Sequence, residues 1–205
     1  MPYTSEHKAE TRKRIVTSAR RLFNRCGFTE VSIDEIMGEV GLTRGGFYNH
    51  FATKEELFAE ALMDMVNNPP KEAYDGVVID FSAAPDVLAR RIIGSYLSRS
   101  HFDDIEGGCP MIALPSDVAR GSKPVKRAYR KGLDAIIGVF QASQQNSCED
   151  ARARAVVMAT LCIGGMVLAR AVDDDEFSAE IRDVAMNRAF EAGGWDSEAS
   201  PVAAE

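Results

Sequence analysis

The chain has 205 residues, 45% of them hydrophobic and 27% charged, with a formal net charge of −7. At this length roughly 70% of the unfolded surface can be buried, so one large or two small domains fold without metal or disulfide staples, and wholesale disorder and fibrous architectures are excluded. The opening stretch MPYTSEHKAETRKR is polar and has no apolar h-region, so no secretory signal is expected and the cytoplasm is the expected compartment.

The net charge argues against a protein that coats nucleic acid through bulk positive charge, but it conceals a division. Residues 1–62 hold 9 basic and 9 acidic side chains, and residues 1–25 alone hold 7 against 2, so the acidic excess lies entirely beyond residue 62. A basic patch at one end of an acidic body fits DNA binding by that end only. Cys26, Cys109, Cys148 and Cys162 form no C-x-x-C pair, and His7, His50 and His101 are equally dispersed. Neither a metal site nor a cofactor is expected, and in a reducing compartment the thiols are free.

In chain order, the pattern is helical almost throughout. Ile15, Val16, Ala19, Leu22, Phe23 and Cys26 recur with the 3.6-residue period of a first helix that Gly27 should stop, with Lys13, Arg14, Arg20, Arg21 and Arg25 on its outward face. Ser32 with Glu35 forms a capping box ahead of the stripe Ile33, Ile36, Met37 and Val40, which Gly41 ends. Thr43 is placed to cap a second short helix, Arg44 to Phe51, and Thr53 with Glu56 opens another over Lys54 to Val66, broken by Asn67 through Pro70.

No period dominates Lys71 to Ser82. Pro85 suits a helix start running to about Ser100, and Asp103 to Gly108 is a loop. A short helix from Pro110 to Ala119 should be interrupted at Pro115, and Pro124 opens a longer one with Val125, Tyr129, Leu133, Ile136, Ile137 and Phe140 on one face. The run Ala155 to Ala169 is 15 residues long, short of the ~20 a bilayer requires, and reads as a buried helix within Glu149 to Val172. Ser178 to Ala192 is the last helix, and the tail from Gly193 should be loose.

Two short helices joined by a tight turn and preceded by a basic helix have the pattern of a helix-turn-helix. A second helix that enters a major groove about 12 Å wide must be short and carry groups that meet base edges or phosphates. The candidate DNA-binding residues are Ser32, Thr43, Arg44, Gly45, Gly46, Tyr48, Asn49, His50 and Lys54. Arg44 has the fork to read guanine, the two glycines let backbone approach the duplex, and Tyr48, His50 and Lys54 are typed for phosphate. Phe47 and Phe51 face inward. The plainer alternative, a structural three-helix bundle with a solvated basic face, leaves Tyr48, His50 and Lys54 without a purpose.

The stretch FTEVSIDEIMGEVGLTRGGFYNHFATKEELFAEAL resembles the N-terminal DNA-binding domain of the tetracycline-repressor (TetR/AcrR) family over about residues 11 to 62. The family's pattern is met by Thr43, Gly46, Phe47, Tyr48, His50, Phe51, Lys54 and Glu55. Gly45 beside Gly46 is a departure that leaves little side-chain information in that turn. A second stretch, GGCPMIALPSDVARGSKPVKRAYRKGLDAI, is similar to a segment in one branch of the family. The resemblance implies an all-α protein, a helix-turn-helix domain over residues 1–66 followed by a helical effector-binding and dimerisation domain over 67–205. It further implies a homodimeric repressor that binds double-stranded operator DNA, pairs through its last two helices, and is released by a small-molecule effector, with no membrane partner.

Candidates to line an effector pocket are Tyr96, Cys109, Met111, Tyr129, Met158, Cys162 and Met166, each of which also suits ordinary core packing. The all-round apolar helix around Ala155, Ala159, Gly164 and Gly165, with Ile181, Val184 and Ala185 of the last helix, suits a dimer four-helix bundle, the alternative being a central helix wrapped within one subunit. A thiol-based redox or electrophile sensor using Cys109 is the competing function. Asp103, Asp104 and Glu106 work against a thiolate there while helix-start dipoles favour one, and the acidic side is expected to prevail. An enzyme needs a convergent acid, base or nucleophile set, and none is found; His101 with Asp103 and Asp104 beside Cys109 is a coincidence of loop neighbours.

Overall fold

A computed structural model describes residues 5–68, 74–144 and 150–195. Cys148, Pro69, Pro70 and most of the tail expected to be loose lie outside the described residues. The described residues form eleven α-helices and one 3-10 turn, so the all-α expectation holds. The helices group into two compact units. The first comprises Met1–Pro69 with Ile105–Gly132, and the second comprises Pro70–Asp104 with Leu133–Glu205. Close packing thus groups residues 105–132 with the N-terminal helices, where the sequence alone suggested a simple division after residue 66.

In the first unit, α1 (Ser5–Glu30) packs along α4 (Lys54–Asn67), with α2 (Ile33–Glu39) and α3 (Arg44–Phe47) across one end. Ile15, Ala19, Phe23, Ile36, Met37, Phe47 and Leu57 are fully buried. The Phe23 ring meets Phe58 edge-on at 5.2 Å, and Phe28 stacks on Phe58 at 4.5 Å. Gly27 adopts φ +79, a backbone that L side chains rarely take, and breaks the helical path of α1 where expected, although helical hydrogen bonding resumes to Glu30. Two sequence expectations for α1 are corrected. Cys26 is exposed rather than part of the apolar stripe. Arg20 turns inward, its guanidinium 3.1 Å from the buried Asp64 carboxylate and donating to the carbonyls of Gly107 and Gly108 at 2.7 and 3.2 Å. The long stem lets a residue on the flank of the apolar stripe place its charge against a neighbouring helix.

The Ser32–Glu35 capping box is complete, with both reciprocal bonds made. At α4 only half of the expected box forms: Thr53 Oγ1 accepts from Glu56 N–H, but the Glu56 carboxylate takes the N–H of Ala52. α3 is shorter than the expected Arg44 to Phe51. It closes at Phe47 and continues as a turn whose bonds run from His50 and Phe51 N–H to the Phe47 carbonyl, because Gly45 and Gly46 supply no helix propensity and Thr43 makes no side-chain cap bond. The helix expected over Pro110 to Ala119 is interrupted by Pro115 into α7 (Pro110–Ala113) and α8 (Pro115–Arg120). α9 (Lys123–Ala142) begins in this unit and ends in the second.

In the second unit, α10 (Ala151–Arg170) and α11 (Asp175–Gly193) form a helical hairpin, with α5 (Pro85–Tyr96) and α6 (Arg99–Asp103) against it. α10 is long and apolar enough by composition to cross a membrane. In this fold it buries Ala155, Met158, Ala159, Cys162, Met166 and Ala169 against its neighbours. α11 starts at Asp175 rather than Ser178 because Asp174 caps it, accepting from Phe177 N–H at 2.9 Å. α5 ends at Tyr96 rather than near Ser100. Ser98 there donates to the Ser95 carbonyl and caps α6, which turns His101 into the interior.

His101 is 2% exposed, stacked on Tyr74 at 4.4 Å and edge-on to Tyr96, with Nδ1 2.7 Å from the Tyr96 carbonyl. Burial, outweighing the Tyr96 carbonyl and aided by Arg170, lowers its pKa to about 4. The unfolded chain therefore binds a proton between pH 6.5 and 4 that the folded chain refuses, and stability is full above the unfolded value and falls as pH drops through that window. We predict that the urea midpoint, followed by the fluorescence of the single tryptophan, Trp195, declines from pH 6.5 to 5, with up to about 3 kcal/mol lost by pH 4. His101→Gln should flatten that slope; an unchanged slope would exclude His101 as its source.

Candidate nucleic-acid interface

The turn between α2 and α3 is built from a buried underside and an open upper side. Gly41, at φ +71, ends α2 and lets Leu42 N–H return to the Met37 carbonyl at 2.8 Å. Phe47 and Phe51 lie inward, their rings 5.6 Å apart, as the sequence required. Thr43, Arg44, Gly45, Tyr48 and Asn49 lie outward, and Tyr48, at 56% exposure, is a large aromatic with little of its own fold to cover it. A Cβ at Gly45 would meet only Thr43 Oγ1 at 3.9 Å, and one at Gly46 would meet the flexible end of Met37 at 3.6 Å. The protein's own packing therefore does not require either glycine.

Arg44 Nη1 is 2.7 Å from Asp34 Oδ2, both side chains more than half exposed. Bonding to Asp34, and secondarily to Tyr48, raises the Arg44 pKa above its ordinary value. Ser32 is half-buried, its hydroxyl already accepting from Glu35 N–H. His50 is half-buried, and its Nδ1 has no hydrogen-bond partner among the described residues. Burial first, then Lys8 and Arg12, lower its pKa below the usual imidazole value. Lys54 is also less free than expected. Its ammonium lies 4.4 Å from the Phe28 ring centre and 3.5 Å from the Thr29 carbonyl, and burial lowers its pKa.

A model for bacterial regulatory proteins of the tetR family matches residues 15–61, the segment that carries this geometry. Residues 15–61 form a tetR-family helix-turn-helix segment. The curated relatives that match it are helix-turn-helix transcriptional regulators. An HTH-type transcriptional repressor of Mycobacterium tuberculosis is 34% identical over 42% of this chain, a match that spans only 49% of that protein. The HTH-type transcriptional regulator LmrA of Bacillus subtilis is 26% identical over 78% of this chain and 86% of its own. Among solved structures, a TetR transcriptional regulator of Chloroflexus aurantiacus superposes with a TM-score of 0.70 at 21% identity, covering 93% of this chain and 98% of that one. At that identity the likeness is one of fold.

The seven residues considered for an effector pocket fall into two groups. Cys109, Met111 and Tyr129 belong to the first unit, where the Tyr129 hydroxyl donates to the Met111 carbonyl at 3.1 Å; burial and then Cys109 raise its pKa. Tyr96, Met158, Cys162 and Met166 belong to the second, where Met158, Cys162 and Met166 are core residues at 0–1% exposure and burial pushes the Cys162 thiol up to about 12. None of the seven lines the groove of about 440 Å³ along α10 and α11, which is formed by residues including Leu161, Gly164, Leu168, Phe177, Ile181 and Val184. Leu168, Phe177 and Val184 there are 60, 49 and 53% exposed.

Arg12 is a residue whose role the sequence left unread. It donates to the His50 carbonyl and to Glu60, whose carboxylate oxygen is 2.5 Å away, and its guanidinium lies 3.9 Å over the Phe51 ring. These contacts fasten the chain between α3 and α4 to α1. Nothing local distinguishes Arg12 from Lys13 or Arg14; only the position of Glu60, 48 residues on, does. Arg12→Leu is expected to cost about 1–2 kcal/mol in urea unfolding, since charge-assisted bonds of a half-buried group are lost. Arg14→Ala, which removes one exposed bond to the Val40 carbonyl, should cost less than about 1 kcal/mol. Equal losses would remove the distinction.

Proposed function

We propose that this regulator is a repressor that binds a palindromic operator as a homodimer through Thr43, Arg44, Gly45, Gly46, Tyr48, Asn49, His50 and Lys54, with Ser32 at the start of α2. The observation that carries the reading is the two-sided build of the α2–α3 turn. Phe47, Phe51 and Met37 hold it from beneath, while its upper side offers one long cation, one phenol and one amide beside a glycine pair that internal packing does not require. Arg44 is the base reader, Tyr48 a phosphate contact, and Lys54 a phosphate contact that also braces Phe28.

The experiment is selection from random duplexes with the purified protein. It should return a near-palindrome with half-sites about one helical turn, ~34–36 Å, or a multiple apart. Tyr48→Ala is expected to weaken all sites alike while leaving the salt slope nearly unchanged, since a neutral phenol displaces no counterion, whereas Arg44→Ala should change which base is preferred at one position of each half-site. A base preference that followed Tyr48 instead of Arg44 would reverse the roles.

We propose further that the second subunit covers the groove along α10 and α11. The support is its apolar lining, Leu168, Phe177 and Val184 all about half exposed or more, and Gly164, where a Cβ meets nothing within 4 Å and a partner backbone has room to approach. Gly165 is the wrong place to test this, since a Cβ there would already sit 2.6 Å from Ala185 Cβ within the same subunit. Val184→Asp probes the open face without that clash, and is expected to raise the dimer dissociation constant by about thirtyfold or more in sedimentation, the scale of one interface hot spot. An unchanged dimer would place the interface elsewhere.

The effector is proposed to be small and apolar or amphipathic, from the thioethers, phenol and thiols among the candidate lining residues. Linkage then requires that effector and operator weaken one another's binding by the same factor.

A further inference from the structure

Arg44 is the only Lys or Arg between Arg25 and Lys54, so the outward side of the turn has a single cation with which to question a base edge. Asp34 stands in the first turn of α2, but the cap of that helix is supplied by Ser32 and Glu35, and Asp34 takes no part in it. Its one hydrogen-bonded partner among the described residues is Arg44, at 2.7 Å between Nη1 and Oδ2. Both side chains stand well out of the surface, at 59 and 57% exposure, where an ion pair contributes little to folding. A carboxylate held beside the one cation on the outward side of the turn costs affinity for DNA of any sequence.

We infer that Asp34 is a specificity-determining residue, which holds Arg44 until a guanine edge offers two acceptors in place of the carboxylate. This rests on the DNA-binding reading above. The guanidinium fork has five donors and spends one on Asp34, so it is held but not saturated. Guanine O6 and N7 accept two parallel bonds and compete with a carboxylate on equal terms; another base edge offers fewer and leaves Arg44 with Asp34. Phosphate would capture a free Arg44 at every position along the duplex, and Asp34 both competes for that cation and repels the phosphate. The residue therefore acts by penalising the wrong partner rather than by improving the right one.

The test compares the full-length wild type with Asp34→Asn, Asp34→Glu, Arg44→Ala and the double variant Asp34→Asn/Arg44→Ala. Binding is measured by anisotropy to three duplexes: the site selected by the wild type, the same site altered at the Arg44-dependent position, and a random duplex of equal length. Asp34→Asn should bind the altered and random duplexes more tightly, so that the ratio of selected to altered affinity falls by up to about fivefold, the scale of an exposed pair. Its salt slope on random DNA should steepen by about 0.9 per subunit as Arg44 becomes free to meet phosphate. Asp34→Glu should retain most of the discrimination, and in the Arg44→Ala background Asp34→Asn should leave the ratio unchanged. A ratio unaltered in Asp34→Asn, or loss of affinity for the selected site alone, would overturn the inference; the latter would mark Asp34 as a base acceptor in its own right. Should Asp34→Asn lose its helical circular dichroism, Asp34→Ser, which also removes the carboxylate, is read by the same affinity ratio and salt slope, and an unaltered ratio in that variant would equally overturn the inference. A wild type that selects no sequence would overturn the DNA-binding reading itself, an outcome distinct from all of these.

Discussion

The seam between α1 and α4 is the constraint on which the first unit depends. Phe23, Phe28 and Phe58 close its middle, and two arginines of α1 work along it: Arg12 on Glu60, Phe51 and the His50 carbonyl, Arg20 on Asp64 and the Gly107 and Gly108 carbonyls. Dispersion and apolar burial hold two helices together without fixing their register, whereas a guanidinium with several directed donors does fix it. Arg12 thereby fastens the end of the recognition turn, and Arg20 fastens the loop before α7. The same loop is gripped by Asn24, which donates to the Glu106 and Gly108 carbonyls, and by Arg21 and Arg25 on the Glu106 carboxylate.

A helix only four residues long, such as α3, has little stability of its own, since helix nucleation is not repaid in so short a run. Its conformation is imposed from below by Phe47, Phe51 and Met37 and from behind by the seam. That division of labour leaves the upper side free to carry a glycine pair and a single cation. It also sets Arg44 beside a charged partner, Asp34, at the open surface rather than in the fold beneath.

The second unit solves a different problem, how to bury a helix apolar on nearly every side. α11 and α5 cover one face of α10, and Gly165 against Ala185 permits the approach. Arg170 at the end of α10 donates to the carbonyls of Phe102 and Asp104, satisfying the last turn of α6, and Arg182 reaches the Leu97 carbonyl at 3.1 Å. His101, stacked beneath Tyr74 and refused its proton by burial, closes the same corner. Val156, Val157 and Leu168 of α10 remain exposed among the described residues.

What the sequence determined by itself is what short-range rules govern. The period of the apolar residues, the Ser32–Glu35 box, the break at Gly27, the turn at Gly41 and the interruption at Pro115 follow from local sterics and hydrogen bonding, and the family pattern from Thr43 to Glu55 marks the DNA-binding segment. The inward or outward sense of Phe47, Phe51 and Tyr48 was legible for the same reason. Only the tertiary structure decided which of several like arginines are structural, because Arg12 and Arg20 are distinguished by acids 48 and 44 residues away. It alone paired Asp34 with Arg44, lowered the pKa of His50 by burial and engaged Lys54 with Phe28. A charge acquires its role from the dielectric and the partners around it, and those are assembled by parts of the chain that no local window contains.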